Sequence, residues 1–383
     1  MEQKYERLFS KSPFGSNMPQ FRSVNRLKLF LTAFVALATA SLTETSVTAS
    51  EPETIGCHAD QPPSLQGYEL QFPSMGTLVT IQAFAADNQP IESTLKAAQQ
   101  EIERLVDIMS DYDPDSELSK LNASAGSGEW IEVSPELWEI LEASDRWHHL
   151  SDGAFDASLG SLTRLWRKAR RQKTIPKPAE IEAALALCGW QHVELDRTEK
   201  RVRLNLEGLQ LDLGAIAKGY IVDRAFKVLT AAGISSCMVN AGGNLRCGAA
   251  PPDRSGWRIE ISSVGEGEPP LRRIFLTNSS ISTSGDLWQF MLIDGVRRSH
   301  ILDPRTGWGI AGPVAVTVIA GNAQDADAAS TSLCVLGRVS GVQLLQGLPS
   351  HQALFLSRIG DEKSLEQTPL TYSATAGFAQ GSR

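Results

Sequence analysis

The stretch HILDPRTG at residues 300–307 contains a histidine that could act as a base. An imidazole titrates near neutral pH, which suits a group that must take a proton from a weak nucleophile. His300 stands at the end of a strand-like run and is followed by the turn residues Asp303, Pro304 and Gly307. From its neighbours alone, His300 fits a catalytic base and a packed strand-end histidine equally well.

A second segment, LDLGAIAKGY at 211–220, places a lysine where a strand passes into a helix. The strand ends near Asp212, and Lys218 falls in the first turn of the helix. Free N–H groups at a helix start attract anions, and a lysine adds a full positive charge. A lysine here opposes the helix dipole, which favours anion binding over an ordinary corner with a solvated lysine.

The segment AQDADAASTSLCVLG at 323–337 predicts a helix that carries oxygen ligands. Asp327 and Thr331 are four residues apart and therefore share one helix face, with Ser330 beside them. Carboxylate and hydroxyl oxygens suit Mg²⁺. The segment by itself also fits a plain helix that Asp325 or Asp327 caps.

Two further segments have alternative interpretations. In VNAGGNLR (239–246), the paired glycines allow either close approach of a ligand or a hairpin turn. In SISTSGD (280–286), the hydroxyls and Gly285 fit the lining of a phosphate or ribose site, or a turn.

The elements that must position these residues follow from periodicity and turn signals. Helices are predicted at 91–109, from Pro135 onward, and at 178–188, 215–233 and 325–336. Strands are predicted within 68–85 with a break at Pro73 and Gly76, within 192–214 with a hairpin at Glu207–Gly208, and at 236–240, 257–263, 273–283, 288–293, 314–320 and 353–357. Small residues leave 152–166 without a clear period. The mixture lacks a regular βαβ rhythm and a GxGxxG motif, so it predicts an α+β fold with mixed and antiparallel sheets.

The N-terminus resembles a secretory signal. Three basic residues up to Lys28 precede the apolar run 29–40, with cleavage expected after Ala40 or nearer Ala49, or retention as an anchor. We therefore expect an extension and signal at 1–49, a linker at 50–67, a folded domain at 68–358 and a polar tail at 359–383.

Charge and cysteine content narrow the function. Without residues 1–49 the chain has 30 basic and 41 acidic residues, against 36 and 44 in the full sequence, so nucleic acid is not an expected partner. A phosphate ligand would then call for a metal ion. The five cysteines have no CxxC or zinc spacing. Cys237 and Cys247 fit either a disulfide or two buried thiols.

The motifs appear in the order seen in one family, the FAD:protein FMN transferases or ApbE-type flavin transferases, which the chain resembles from about 68 to 358. The segments that carry this resemblance are SMGTLVTIQ (74–82), MSDYDPDSELSKLN (109–122), GAFDASLG (153–160), LDLGAIAKGYIVDRA (211–225), VNAGGNL (239–245), STSGD (282–286), HILDPRTG (300–307) and DADAASTSLCVLG (325–337).

The resemblance implies an ApbE-like, T-fold-like single catalytic domain and a Mg²⁺-dependent enzyme of the bacterial cell envelope, periplasmic or anchored to the membrane. Such enzymes split FAD, join FMN to a Thr or Ser hydroxyl of a redox protein, and release AMP. Two alternatives use the same residues: an FAD pyrophosphatase that yields FMN and AMP, and a non-catalytic periplasmic FAD-binding protein.

The resemblance also implies site residues. His300 corresponds to the catalytic histidine. The residues expected to contact FAD are Met75, Tyr112, Ala154, Phe155, Asp156, Asp212, Lys218 and Ile301. The expected metal ligands are Ala215, Asp327, Ser330 and Thr331. The chain departs from the family pattern at Asn244, Leu287 and Trp288.

Overall fold

The computed structural model describes residues 22–23, 65–263, 269–286, 289–312, 314–357, 371–375 and 378. The predicted signal and linker therefore lie outside the described residues, apart from 22–23 and 65–67, and so does most of the predicted tail. Cys57, Leu287 and Trp288 also lie outside them.

The described residues form strands and α-helices that mix along the chain. The strands are β1 (Arg22–Ser23), β2 (Gln66–Ser74), β3 (Thr77–Ala85), β4 (Ile131–Glu132), β5 (Val193–Asp196), β6 (Arg201–Leu204), β7 (Cys237–Ala241), β8 (Asn244–Cys247), β9 (Trp257–Ile261), β10 (Arg272–Leu276), β11 (Ser279–Gly285), β12 (Phe290–Ile293), β13 (Val296–Leu302), β14 (Gly309–Ala311), β15 (Val314–Ala320), β16 (Gln352–Ser357) and β17 (Thr371–Ala374). The helices are α1 (Ile91–Met109), α2 (Glu117–Ala123), α3 (Pro135–Leu150), α4 (Gly160–Gln172), α5 (Pro178–Leu185), α6 (Ala217–Ala231) and α7 (Ala323–Gln346).

One large sheet organises the fold. Its strand order is β1-β2-β3-β7-β8-β11-β15-β16-β17. All neighbours pair antiparallel except β1, which is parallel to β2. Three smaller sheets have the orders β10-β9, β12-β13-β14 and β4-β6-β5. The predicted α+β class with mixed and antiparallel sheets is confirmed.

Helices cover one face of the large sheet. Leu95, Ile102 and Leu105 of α1 are fully buried, as the helical spacing predicted, and pack with Val79 and Ile81 of β3. The same core includes α6 and α7. In the described part of the chain, α7 is the one helix long and apolar enough to cross a membrane, and half of its apolar stretch is buried inside the fold.

The second face of the large sheet is covered by the hairpin β9–β10, where Trp257, Ile259 and Ile274 pack on Leu245 and Ile281. A third apolar cluster joins α4 and α5 to the small sheet β12-β13-β14. Its buried members are Leu159, Leu162, Trp166, Ile181, Cys188, Ile293 and Leu302.

A buried ion pair attaches this small sheet to the large one. Asp286 is completely buried and accepts hydrogen bonds from Arg297 Nε of β13 at 2.8 Å and from the Val314 amide of β15 at 2.9 Å. Asp286 of the SISTSGD segment therefore has a structural role, because it fixes the strand that carries His300.

Several predicted elements differ from the structure. The hairpin predicted at Glu207–Gly208 is wrong, because the turn lies between β5 and β6 and the chain beyond β6 does not continue as a strand. There the side chain of Asn122 bonds both the N–H of Leu211 at 2.7 Å and its carbonyl at 3.1 Å. A side-chain amide from a distant helix thus replaces the strand partner, and such a contact leaves no periodic signal.

Other boundaries shift for local reasons. The predicted strand 273–283 is two strands, since Asn278 with φ of 46° makes a turn between β10 and β11. The segment 152–166 without a clear period leads into α4 at Gly160, and α7 continues beyond a non-helical Gly337 to Gln346. The predicted helices at 91–109 and from Pro135 are confirmed.

Helices α6 and α7 hold each other through reciprocal hydrogen bonds. The Asp223 carboxylate of α6 accepts from the Ala323 and Gln324 amides at the start of α7, both at 2.9 Å. The Asp327 carboxylate of α7 accepts from the Gly219 amide of α6 at 3.0 Å. The two helices can approach this closely because Gly219 has no Cβ, which would lie 2.2 Å from the Ala323 carbonyl oxygen.

We expect Gly219→Ala to lower the free energy of unfolding by about 1–3 kcal/mol, because the added methyl group must push the two helices apart. Urea denaturation measures this loss. Gly321→Ala is the matched control, since a Cβ at Gly321 would meet nothing within 4 Å, and its effect should stay within about 0.5 kcal/mol. Equal stability of the two variants would contradict the close-contact argument.

Candidate active site

A cavity of about 890 Å³ brings the predicted site residues together. Its walls include parts of α1, α4, α6 and α7, the end of β11, and the His300 region of β13. The predicted residues that line it are Met75, Tyr112, Ala154, Phe155, Asp156, Asp212, Ala215, Lys218, His300, Ile301, Asp327 and Thr331. Ser330 does not line the cavity but lies fully buried behind it.

His300 is held by the backbone carbonyl of Gln289. That oxygen accepts a hydrogen bond from the His300 amide at 3.0 Å and lies 3.2 Å from the His300 Nδ1. A carbonyl oxygen can only accept, so we assign the hydrogen of the neutral ring to Nδ1. The Nε2 atom then carries the lone pair, which is what a base at the cavity wall requires.

The turn after His300 is anchored from helix α4. The Gly307 amide donates to the Asp303 carbonyl at 2.9 Å, and the indole of Trp166 donates to the Gly307 carbonyl at 2.9 Å. His300 itself lies between Arg298 and Leu302, where the register of β13 with β14 is interrupted. Such irregularities redirect side chains near active sites.

The surroundings of His300 disfavour its protonated form. The side chain of His300 is exposed by surface area, yet the protein atoms around it lower its pKa by desolvation, and the charges of Arg170 and Lys218 act in the same direction. The imidazole is therefore neutral at pH 7, the form in which Nε2 can accept a proton.

Lys218 faces a buried carboxylate. Its Nζ donates to the Gly214 carbonyl at 3.2 Å and lies 3.9 Å from Asp327 Oδ1. Burial raises the pKa of Asp327, while Lys218 and the Gly219 amide lower it. The expectation of free amides at the start of α6 is corrected in part, because the amides of Ala217 and Gly219 are bonded to the Leu213 carbonyl and to Asp327.

The oxygen atoms around Asp327 fit a hard divalent cation. The Thr331 hydroxyl lies 2.9 Å from the Ser284 hydroxyl, and both residues line the cavity with Asp327 and Ala215. In the described ranges, no group of three or more His, Cys, Asp or Glu side chains has a geometry that could hold a metal ion. A metal ion here would therefore depend on one carboxylate together with hydroxyl and carbonyl oxygens, a set that suits Mg²⁺.

Ser330 is occupied by other contacts. Its hydroxyl donates to the Asp327 carbonyl at 2.9 Å and lies 2.7 Å from the Ser284 hydroxyl. Ser284 is nearer the cavity and was not predicted as a ligand. The alternative in which Asp325 or Asp327 caps this helix is wrong. Asn322 is the N-cap, and its side chain accepts a hydrogen bond from the Asp325 amide at 2.7 Å.

An arginine on α4 that sequence reasoning missed ties the predicted residue Asp212 into a network. Arg167 bonds Asp111 and Asp212, the latter at 2.7 Å, and its guanidinium lies 4.5 Å from the centre of the exposed Tyr112 ring. Burial and the neighbouring Asp212 raise the pKa of Asp111, and Arg167 opposes them. The available signal was the spacing of Thr163, Arg167 and Arg170, which share one helix face.

The remaining predicted residues form parts of the cavity wall. Met75 sits in the tight turn between β2 and β3 with φ of 51°. Ala154 and Phe155 are buried, and Asp156 accepts hydrogen bonds from the Ser158 amide at 2.7 Å and from its hydroxyl. Ile301, next to His300, is buried in the main core.

The glycine pair forms a hairpin turn and also borders the cavity, so it agrees with both interpretations of its sequence. Gly242 and Gly243 form the turn of the β7–β8 hairpin with positive φ, and Gly242 also lines the cavity. Asn244 is buried and accepts a hydrogen bond from Ser282. Cys237 and Cys247 are free buried thiols rather than a disulfide.

Known proteins are similar to this chain in both sequence and architecture. A family model described as the ApbE family matches residues 75–355. An FAD:protein FMN transferase from Treponema pallidum is 33% identical over 301 residues, which cover 74% of this chain and 82% of that protein. One from Vibrio cholerae is 33% identical over 285 residues, covering 72% and 84%.

Solved structures agree with the sequence matches. The flavin transferase ApbE from Vibrio cholerae has a TM-score of 0.73 at 30% identity and covers 82% of this chain and 98% of its own. The apo form of the Pseudomonas stutzeri flavinyl transferase ApbE has a TM-score of 0.72 at 31% identity, with coverages of 82% and 96%.

We expect Arg167→Met to cost about 3 kcal/mol of stability at pH 7, because it leaves two largely buried carboxylates without their cation. The deficit should shrink as the pH falls towards 5, since protonation of Asp111, whose pKa burial and Asp212 raise, removes its charge. Urea denaturation of the variant and the wild type at both pH values measures this difference. Arg164→Met, an exposed position on the same helix, is the control, and a pH-independent loss would contradict the argument.

Proposed function

The chain belongs to the ApbE family, and we propose that it is an FAD:protein FMN transferase that joins FMN to a Thr or Ser hydroxyl of a target redox protein. The observation that carries this proposal is one cavity in which the neutral imidazole of His300 lies near cationic side chains and the carboxylate of Asp327. A base and an anion-binding surface in one cavity are what the activation of a hydroxyl beside a pyrophosphate requires.

The reaction is a substitution at phosphorus. The acceptor hydroxyl attacks the FMN-side phosphorus of FAD, the bond from that phosphorus to the bridging oxygen breaks, and AMP leaves with that oxygen. The hydroxyl proton passes to Nε2 of His300. Positioning and charge stabilisation dominate this kind of chemistry, so Lys218 and Arg170 have the role of attracting and orienting the pyrophosphate.

The proposed metal is Mg²⁺, held by the Asp327 carboxylate, the Thr331 hydroxyl and the backbone of Ala215. A bound Mg²⁺ would neutralise part of the phosphate charge during transfer. Ser284 is a better-placed hydroxyl than Ser330, because Ser284 lines the cavity and Ser330 does not. Support for this site comes from the donor chemistry and from the carboxylate of Asp327, which is 2% exposed and has Lys218 as its cationic neighbour at 3.9 Å.

We also propose that the protein is exported, either into the periplasm or onto the periplasmic side of the membrane. The support is the signal-like N-terminal sequence, which lies outside the described residues. The acceptor would then be a redox protein or domain in the same compartment.

One assay separates the proposed transfer from hydrolysis and from storage of FAD. The protein is incubated with FAD, Mg²⁺ and a flavin-accepting domain, and the products are separated. Covalent flavin on the acceptor supports the transferase, free FMN with AMP supports a pyrophosphatase, and unchanged FAD supports a binding protein.

We expect His300→Ala to reduce covalent transfer by about 10²-fold or more, because the acceptor hydroxyl loses its base. The dissociation constant for FAD, measured by fluorescence titration, should change by less than about threefold, since the cavity walls are otherwise intact. His149→Ala is the matched control, because His149 is exposed and does not line the cavity. Near-normal flavinylation by His300→Ala would reject the base role.

We expect Asp327→Asn to raise the Mg²⁺ concentration needed for half-maximal transfer by about tenfold or more and to remove the Mg²⁺-dependent rise in melting temperature of the free protein. The amide keeps the size of the carboxylate but lacks its charge. Asp325→Asn is the control, because Asp325 bonds Arg146 and Trp147 and does not line the cavity. An unchanged metal titration in Asp327→Asn would place the metal elsewhere.

A further inference from the structure

Arg170 has contacts that none of the predicted roles uses. It lies on α4, lines the cavity, and donates from Nη1 to the side-chain oxygen Oε1 of Gln289 at 2.9 Å. Gln289 is also the residue whose backbone carbonyl accepts from the His300 amide and faces Nδ1. A single residue thus connects the guanidinium to the proposed base.

We propose that Arg170 is a positioning residue for His300: it holds Gln289 from α4, so that the Gln289 carbonyl keeps the hydrogen of the imidazole on Nδ1 and Nε2 available to the acceptor hydroxyl. The path from Arg170 to His300 is short: Arg170 bonds the side chain of Gln289, and the backbone carbonyl of the same residue contacts His300. It also links α4 to β13, in addition to the hydrogen bond from Trp166 to the Gly307 carbonyl and the apolar cluster that includes Leu162 and Leu302.

The charge of Arg170 adds a second effect. Among the groups that face His300, Arg170 on α4 and Lys218 on α6 disfavour the imidazolium, while Asp286 at the end of β11 and the Gln289 carbonyl favour it. After burial, Arg170 is the largest cause of the low pKa of His300. Arg170 therefore adds to the effect of burial in lowering the pKa of the proposed base, and it orients that base through the same side chain.

The role of His300 as a base rests on the proposed function, but the effect of Arg170 on His300 can be measured without turnover. The protein is labelled with ¹⁵N-histidine, and the ring nitrogens of His300, assigned by their loss in His300→Asn, are followed against pH without FAD. We expect the wild type to show a neutral ring with hydrogen on Nδ1 that titrates well below pH 6.5.

Arg170→Met should move the titration of His300 upward by about one pH unit, because a nearby positive charge is removed and the imidazolium becomes less unfavourable. Arg170→Lys keeps the charge, so its titration should stay near that of the wild type. Gln289→Ala should also leave the titration near the wild-type value while it loosens the carbonyl and lowers kcat for transfer by about tenfold. Arg171→Met, at an exposed position next to Arg170, should change neither property.

Activity measurements complete the test. The acid limb of kcat/KM in Arg170→Met should move upward with the His300 titration, so the loss of activity should be larger at pH 5.5 than at pH 8. If Arg170→Met leaves both the titration of His300 and the hydrogen on its Nδ1 unchanged and only raises the dissociation constant for FAD, Arg170 orients the substrate alone and the positioning proposal is overturned. The expected titrations without any covalent transfer would instead reject the proposed function and leave the role of Arg170 in place.

Discussion

The reciprocal contact between α6 and α7 is the constraint on which the cavity depends. Gly219 lets the two helices approach, and its amide donates a hydrogen bond to the Asp327 carboxylate of α7. In return, the Asp223 carboxylate of α6 accepts hydrogen bonds from two amides at the start of α7. Because both carboxylates accept hydrogen bonds from backbone amides of the opposite helix, neither helix can slide without breaking these charge-assisted hydrogen bonds. Lys218 and Asp327 are neighbours as a consequence of this packing.

The cavity wall carries charges of both signs. In a chain with a formal net charge of −8, Lys218, Arg167 and Arg170 line the cavity together with the carboxylates of Asp111, Asp156, Asp212 and Asp327. Arg167 is committed to Asp111 and Asp212, whereas Arg170 bonds the neutral side chain of Gln289. Among the cationic side chains of the cavity, Arg170 and Lys218 are therefore the ones best able to attract an anionic ligand. Their charges also lower the pKa of His300, so the groups proposed to attract the pyrophosphate also favour the neutral form of the proposed base.

The position of His300 depends on contacts from several elements. The turn after it is bonded by Trp166 of α4, the Gln289 carbonyl before β12 fixes its ring, and the Asp286–Arg297 pair attaches its small sheet to the main one. Removing one partner of such a buried pair is strongly destabilising, because it leaves the other charge buried without compensation. The small sheet could otherwise shift relative to the large sheet, and His300 would leave the cavity wall.

The sequence by itself determined the α+β class, the strong helices and strands, and most of the residues predicted for the site that line the cavity, because amphipathic periodicity and ordered local motifs are properties of short segments. Asp327 and Thr331 share a face by helical spacing alone, and the apolar run at 314–320 was sufficient to predict that strand. The tertiary structure decided what depends on distant partners. Asn122 replaces a strand at Leu211, Ser284 rather than Ser330 faces the cavity, and Arg170 reaches His300 through Gln289. These contacts join residues far apart in the chain through side-chain geometry, which no local spacing encodes.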